Sequence, residues 1–316
     1  MDFNISDIAK EFSDKKAVQI KKVKKLVWSG IRLLLLSGLS YVILYPIIYM
    51  IVAAVREKQD LFDSAVKWIP KHFTLENLNR VWVAMKYPQA LLFTVALCGI
   101  CAILCAVSCS LAAYGFARFK FKGQSVFFAI VLLMIIIPAT FYRMPSYLLF
   151  NKMHLLNNPL SMILPALLGS GIHSGVYIYL FRQFFKGMPK ELEEAAYIDG
   201  CKYIKTFTRI MLPSAIPVYV TVLLFSFVWY WNDFQLNVLF IQDFHGIQTL
   251  SASLSNITNL TLAAFPDVPS GLLDGVQNSI DQMSASVLVI GPLIILYVVL
   301  QRYFVESIQR SGLAGD

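Results

Sequence analysis

Three short stretches carry residues whose types and spacing suit chemistry. In Gly169-Ser170-Gly171-Ile172-His173-Ser174-Gly175 a histidine lies among serines, the parts of a nucleophile and its base. Adjacent His and Ser residues on a helix do not face each other, so the stretch reads better as Gly-rich helix packing or a pore lining. Trp231-Asn232-Asp233-Phe234 offers a ring, an amide and a carboxylate, the groups that hold sugars by stacking and by hydrogen bonds to hydroxyls. With Tyr230 it equally suits an interfacial aromatic belt where an apolar segment leaves the bilayer. His173, Trp231, Asn232 and Asp233 are therefore the candidate substrate-pathway residues. Cys98, Cys101, Cys105 and Cys109 follow one face of an apolar helix. With no His or carboxylate beside them, they read as small packing residues and not as a metal or redox cluster.

Other chemistry is missing from the sequence. No Gly-Lys pair occurs, so there is no G-x-x-x-x-G-K-[ST] loop to cradle a nucleotide phosphate. His72, His154, His173 and His245 form nothing like H-E-x-x-H. The chain is expected to be no enzyme and to hold no cofactor or metal. If ATP drives its work, a separate subunit hydrolyses the ATP and uses the Mg²⁺.

The elements that must position these residues are membrane helices. Of 316 residues, 57% are hydrophobic and 15% charged, against about 45–50% and about 25% in soluble domains. The apolar residues gather into six runs, at about 27–55, 90–116, 125–147, 159–185, 215–241 and 283–305. Each reaches the ~20 residues that span a bilayer. Together they form a transmembrane domain over 27–305, between a basic tail at 1–26 and a short tail at 306–316. The net charge of +8 comes from residues clustered at span ends, which fits a bilayer and not nucleic acid.

An even number of spans puts both termini on one side. That side carries the tail lysines, Arg118, Lys120, Lys122, Arg182, Lys186, Lys190, Lys202, Lys205 and Arg209. The other side has fewer cations, Arg143 among them, and none in the loop at 242–282. Positive charge marks the cytoplasm, so both termini are expected there. The loops at about 56–89 and 242–282 are then external, the second long, polar and irregular in expectation.

The stretch from Pro189 to Pro213 is a charged island on the cytoplasmic side. Leu192, Ala195 and Ala196 share one helical face, Gly200 breaks the run, and Tyr203, Phe207 and Ile210 repeat at helical spacing. Lys202, Lys205 and Arg209 form a basic row opposite. The pattern predicts a helix-turn-helix whose apolar ridge docks into a groove of another protein.

The island also resembles a known signature. Glu194-Ala195-Ala196, three residues, Gly200, nine residues, Ile210, one residue, and Leu212-Pro213 match the EAA motif of ABC importer membrane subunits at every fixed position. The resemblance extends from about residue 68. Trp68-Ile69-Pro70 with Phe73-Thr74-Leu75-Glu76-Asn77, the exit Leu180 to Pro189, Trp231 to Phe234 and Gln301 to Val305 look like carbohydrate permeases. The nearest type is the second membrane subunit of the maltose transporter. Beyond Val305 the sequence departs from that type's Gly-rich tail, so a tail contact with the ATPase is not carried over.

The resemblance implies an all-α membrane protein with six transmembrane helices, the type I ABC importer permease architecture and a cytoplasmic coupling helix. Glu194, Ala195, Ala196, Gly200, Ile210, Leu212 and Pro213 would couple it to ATPase subunits. It implies a prokaryotic cytoplasmic membrane, lipid contact, a second homologous permease subunit, two ABC ATPases and an extracytoplasmic solute-binding protein. The cargo would be a sugar or oligosaccharide. An importer of another solute, such as a glycerol-phosphate ester, is the alternative. A membrane-embedded hydrolase or transferase is the reading from another class, and it gives the EAA spacing no role.

Overall fold

The computed structural model describes residues 5–57, 59–60, 69–266 and 275–312, with side chains described between 21 and 301 within those ranges. Trp68 lies outside them. Among the described residues the chain is helical, and its β-pairing is limited to isolated bridges, Arg56 with Phe73 and Phe244 with Ile247. The first half contains α1 (Ile5–Ala54), α2 (Glu76–Ala84), α3 (Tyr87–Arg118), α4 (Gln124–Ile136) and α5 (Ala139–Lys152). Next come α6 (Leu160–Leu167), α7 (Ser174–Gly187), α8 (Glu191–Ile198) and α9 (Tyr203–Ser214). The order ends with α10 (Ile216–Asn232), α11 (Phe234–Phe240), α12 (Leu250–Ser255), α13 (Ile257–Ala264) and α14 (Gly275–Gly312).

Helix α3 is the hub, packed by α6, α7 and α10. Its inward stripe is rich in small residues, with Ala90, Cys98, Cys101, Cys105 and Cys109 all fully buried. Lipid tails are as apolar as leucine, so helices in a bilayer associate through close packing, which small side chains permit. Cys105 Sγ lies 3.8 Å from Cys109 Sγ and 3.5 Å from Ser174 Oγ of α7. Gly175 of α7 presses on α4, where an added Cβ would come within 2.9 Å of the Val131 carbonyl oxygen. Gly175 thus serves helix packing, whereas residues 169–173 before it are not the helix their composition suggests.

Among the described residues three helices are long and apolar enough to cross a membrane, or up to five if each sharply bent pair counts as one span. The unbroken spans lie in α1, α3 and α14; α4 with α5 bends by 102° and α9 with α10 by 79°. Three expected segments are interrupted, among them 215–241, which breaks at Asp233 between α10 and α11. The run 125–147 breaks because Pro138 forces Ile137 out of helical backbone, to ψ 119°. The run 159–185 breaks between α6 and α7, where Gly169 and His173 both adopt positive φ, 67° and 56°.

Residues 242–266 are more ordered than their polar composition predicts. Residues 250–264 form α12 and α13, with Leu250, Ala252 and Ile257 buried. Thr249 Oγ1 caps α12 by accepting from Ala252 N–H, and Thr94 Oγ1 of α3 accepts from Leu250 N–H at 2.9 Å. Polar side chains here satisfy helix ends and thereby fix the loop on the bundle.

On the same end of the bundle, the chain after α1 is held by a clasp. Asp60 Oδ2 accepts from the backbone N–H groups of Lys71 and His72, at 2.7 and 2.8 Å. Asp60 Oδ1 sits 2.9 Å from His72 Nδ1. The backbone hydrogen bond from His72 holds the Asp60 carboxyl below its ordinary value, and the hydrogen bond to Asp60 raises His72 above its own. Asn77 Nδ2 donates to Arg56 O at 2.8 Å and ties α2 to the end of α1.

Candidate coupling site and transport cavity

The island of the EAA motif folds as α8, a tight turn and α9. Glu191, Glu193 and Glu194 fill the first turn of α8, where the helix dipole favours negative charge. Glu193 and Ala196 point inward and are buried, while Glu194 and Ala195 are exposed. Glu193 Oε2 lies 3.2 Å from Arg118 Nε, with both side chains under a tenth exposed. Arg118 Nη2 also donates to Met188 O at 2.8 Å. One guanidinium therefore joins the last turn of α3, the end of α7 and the first turn of α8.

Gly200 makes the turn through a Schellman motif. Its φ is 77°. Its N–H donates to Tyr197 O at 3.0 Å, and Cys201 N–H donates to Ala196 O at 2.9 Å, satisfying the open carbonyls of α8. An added Cβ would meet nothing within 4 Å, so backbone conformation alone demands the glycine.

In α9 the expected ridge of Tyr203, Phe207 and Ile210 divides. Residues Phe207–Met211 form a π-helical turn, whose wider pitch rotates side chains away from the α-helical register. Phe207 is buried against Tyr114 and Phe185, at ring separations of 5.1 and 6.2 Å. Tyr203 and Ile204 remain outside, 61% and 80% exposed, alongside Ile198 at 86%. Lys202, Lys205 and Arg209 are exposed as their row predicts. Ile210 and Leu212 are half-buried and Pro213 is exposed. Pro213 stands in the last turn of α9 and not at the start of the following span, which begins at Ile216 with Pro217 in its first turn.

A second feature is a cavity of about 830 Å³ between α4–α5, the α6–α7 break and α10–α11. His173 and Asp233 both line it. The left-handed backbone at His173 turns its ring towards Trp229, 4.2 Å away between centroids. Arg143 Nη2 donates to Asp233 Oδ2 at 2.6 Å, and Nη1 donates to Gln235. The other Asp233 oxygen caps α11 by accepting from Leu236 N–H at 2.9 Å. Asn237 Nδ2 braces the same break through Tyr230 O and Asp233 O, at 3.2 and 2.8 Å.

Trp231 is instead 1% exposed, packs on Phe227 and does not line the cavity. Asn232 is exposed but also outside the lining. The cavity's indole belongs to Trp229, whose spacing from Asp233 is i, i+4 and so on one helical face. That spacing was available in the sequence. Arg143, assigned there to the external charges, is the other lining residue that sequence reasoning missed. Among the described residues no hydrogen bond joins His173 to a serine. Ser174 Oγ is near Cys105, and Ser170 Oγ donates to Pro165 O at 3.3 Å.

Residues 102–310 match a family model described as the binding-protein-dependent transport system inner membrane component. The chain is 28% identical over 295 residues to the arabinooligosaccharides transport system permease protein AraQ of Halalkalibacterium halodurans, covering 88% of this chain and 93% of that protein. It is 27% identical over 290 residues to the trehalose/maltose transport system permease protein MalG of Thermococcus litoralis, covering 90% and 98%. In fold it is similar to a chain in the crystal structure of a bacterial ABC transporter involved in the import of the acidic polysaccharide alginate. That likeness has a TM-score of 0.69 at 21% identity and covers 88% of this chain and 96% of the other. The matched stretch contains both the island and the cavity, and the chain belongs to the family of inner-membrane permease components of binding-protein-dependent ABC importers.

Proposed function

We propose that this chain is one of two membrane subunits of a carbohydrate importer, and that α8 is the coupling helix through which ATPase subunits drive it. Six spans, three of them broken, would place both termini and the island in the cytoplasm. A solute-binding protein would deliver a sugar or oligosaccharide to the opposite face. The observation that carries the coupling role is the folded EAA motif. Its exposed side presents Glu194, Ala195, Ile198 and Ile204 to a partner, while its buried side is anchored by Glu193 and Arg118. A docking element needs both a free face and a rigid root, or the partner's movement would be lost in the loop.

The carbohydrate reading draws on the relatives named for arabinooligosaccharides and trehalose/maltose. The cavity has a volume of about 830 Å³, within the range of about 300–1,000 Å³ usual for ligand sites. Trp229 and His173 give it ring surface, and Asp233 gives it acceptors. A glycerol-phosphate ester would want an unpaired cation there, but Arg143 already has Asp233 as its counter-charge. Neutral sugars fit this electrostatics better.

Gly200→Val tests the coupling role. A β-branched residue at φ 77° is strained by roughly 1–3 kcal/mol. In proteoliposomes holding the complete importer, sugar uptake should fall to background with the chain still in the membrane. Unchanged uptake would remove α8 from the coupling path.

A further inference from the structure

We propose that a second pocket, at the ends of α3, α4 and α7, binds the headgroup of an anionic phospholipid. This pocket has a volume of about 720 Å³ and includes Lys120, Arg182, Lys186 and Lys190 in its wall. Among the described residues none of these four cations is in an ion pair. Of the two carboxylates in the wall, Glu193 is taken by Arg118, which leaves Glu194. Four cations with one free carboxylate among them keep a net repulsion, and a phosphodiester entering between them relieves it.

The pocket's position points to lipid as the source of the phosphate. It opens where α3 ends and α4 begins, the level at which span ends meet headgroups. Gln124 and Ser125, in the first turn of α4, line it and add the positive end of that helix's dipole. Arg182 is preset, its guanidinium 3.8 Å above the Phe128 ring and its Nε donating to Phe116 O at 3.4 Å. Along α4 beyond the pocket, Val126, Phe127 and Ile130 are 65%, 53% and 49% exposed. Acyl chains of a lipid seated in the pocket would lie on that surface, which a free phosphate or a soluble acidic peptide would leave bare. Basic pockets between span ends recognise anionic headgroups in this way.

The proposal needs only that the chain crosses a bilayer, and it does not depend on α8 being the coupling helix. The purified full chain, titrated with phosphatidylglycerol or phosphatidylcholine and followed by native mass spectrometry, should prefer phosphatidylglycerol. In the Lys186→Gln, Lys190→Gln double variant the preference should fall about fivefold for each charge removed. Both lysines are exposed, so this variant leaves the packed core alone. Arg182→Lys keeps the charge but not the stacked plane, and should weaken binding less than the double variant. Equal affinity for the two lipids, or a preference that survives the double change, would overturn the proposal. Inorganic phosphate binding as tightly as phosphatidylglycerol would also overturn it, making this a soluble-anion site. Loss of ATPase co-purification with lipid preference intact would assign the pocket to a protein partner instead. Failure of the coupling reading would appear separately, as uptake unchanged by Gly200→Val.

Discussion

In the island of the EAA motif the residues proposed to couple lie within one continuous stretch, whereas the cavity gathers Arg143 from α5, His173 from the α6–α7 break and Trp229 and Asp233 from the end of α10. The island's demands are mostly local. A turn needs Gly200, a helix start favours acidic residues, and a docking face needs small or exposed apolar groups. A partner's surface then has a fixed pattern to meet. The cavity's demands are tertiary, since breaks at Pro138, at Gly169 and at Asp233 must coincide in space before any lining exists. Short-range pattern suffices to foresee the island's helix and its turn at Gly200, but not the cavity.

The strongest challenge to this contrast is at the buried ion pair that ties the island to α3. Glu193→Ala strands Arg118 as a buried charge and should destabilise the chain by about 3–5 kcal/mol. Thermal unfolding in detergent would read this as a lowered midpoint. Replacing the pair together, Arg118→Met with Glu193→Leu, should recover much of the stability. If sugar uptake recovers equally, the pair only holds the fold; if stability returns without uptake, the pair orients α8.

Next in size is the division of roles between the two indoles. Trp231→Ala empties a core position and should cost about 3–5 kcal/mol of stability. Trp229→Ala removes a side chain that is 47% exposed. It should leave the midpoint nearly unchanged while weakening the uptake KM. The reverse pattern would place the sugar at Trp231.

Asp233→Asn is a smaller change. Asparagine keeps the cap on α11 but removes the counter-charge of Arg143, for an expected loss of about 1–3 kcal/mol. If the cavity then takes up a phosphate ester or an acidic sugar, its neutrality is what selects the substrate.

The smallest effect is at the clasp between Asp60 and His72. Asp60 is held below its ordinary 3.8, so its contribution is present above 3.8 and is lost as pH falls through the lowered value. His72 is raised above 6.5, so its contribution is complete below 6.5 and is lost as pH rises through the raised value. The clasp is therefore complete from about pH 3.8 to 6.5. His72→Gln should flatten the alkaline side of the midpoint-versus-pH curve, and an unchanged slope there would show that the clasp is not coupled to folding.

Much of the fold follows from apolar run length, which places α3 and α14 near the expected spans. The interruptions were harder to read. Pro138 lies inside a run of uniform hydropathy, and only the backbone restriction on Ile137 converts it into a 102° bend. The polar run at 242–282 misleads in the other direction, because Thr249 and Thr94 spend their hydroxyls on a helix end. In the island, Glu193 and Glu194 are adjacent and chemically identical, and helix rotation sends one to Arg118 and the other outward. The EAA spacing marks the outward one. The inward one needs the position of α3.

Helix α1 has one substantial helical neighbour among the described residues, α14, at the other end of the chain. During synthesis it would enter the bilayer well before that neighbour. Until then it must persist as a lone helix in lipid, and its apolar surface, exposed on all sides from Leu33 to Leu36, is suited to that wait. A ribosome stalled before residue 275 would leave the hub helix α3 with its partners and α1 unattached. The seam between α1 and α14 thus forms only after the hub has its partners, and it is where a chain cut before residue 275 would come apart.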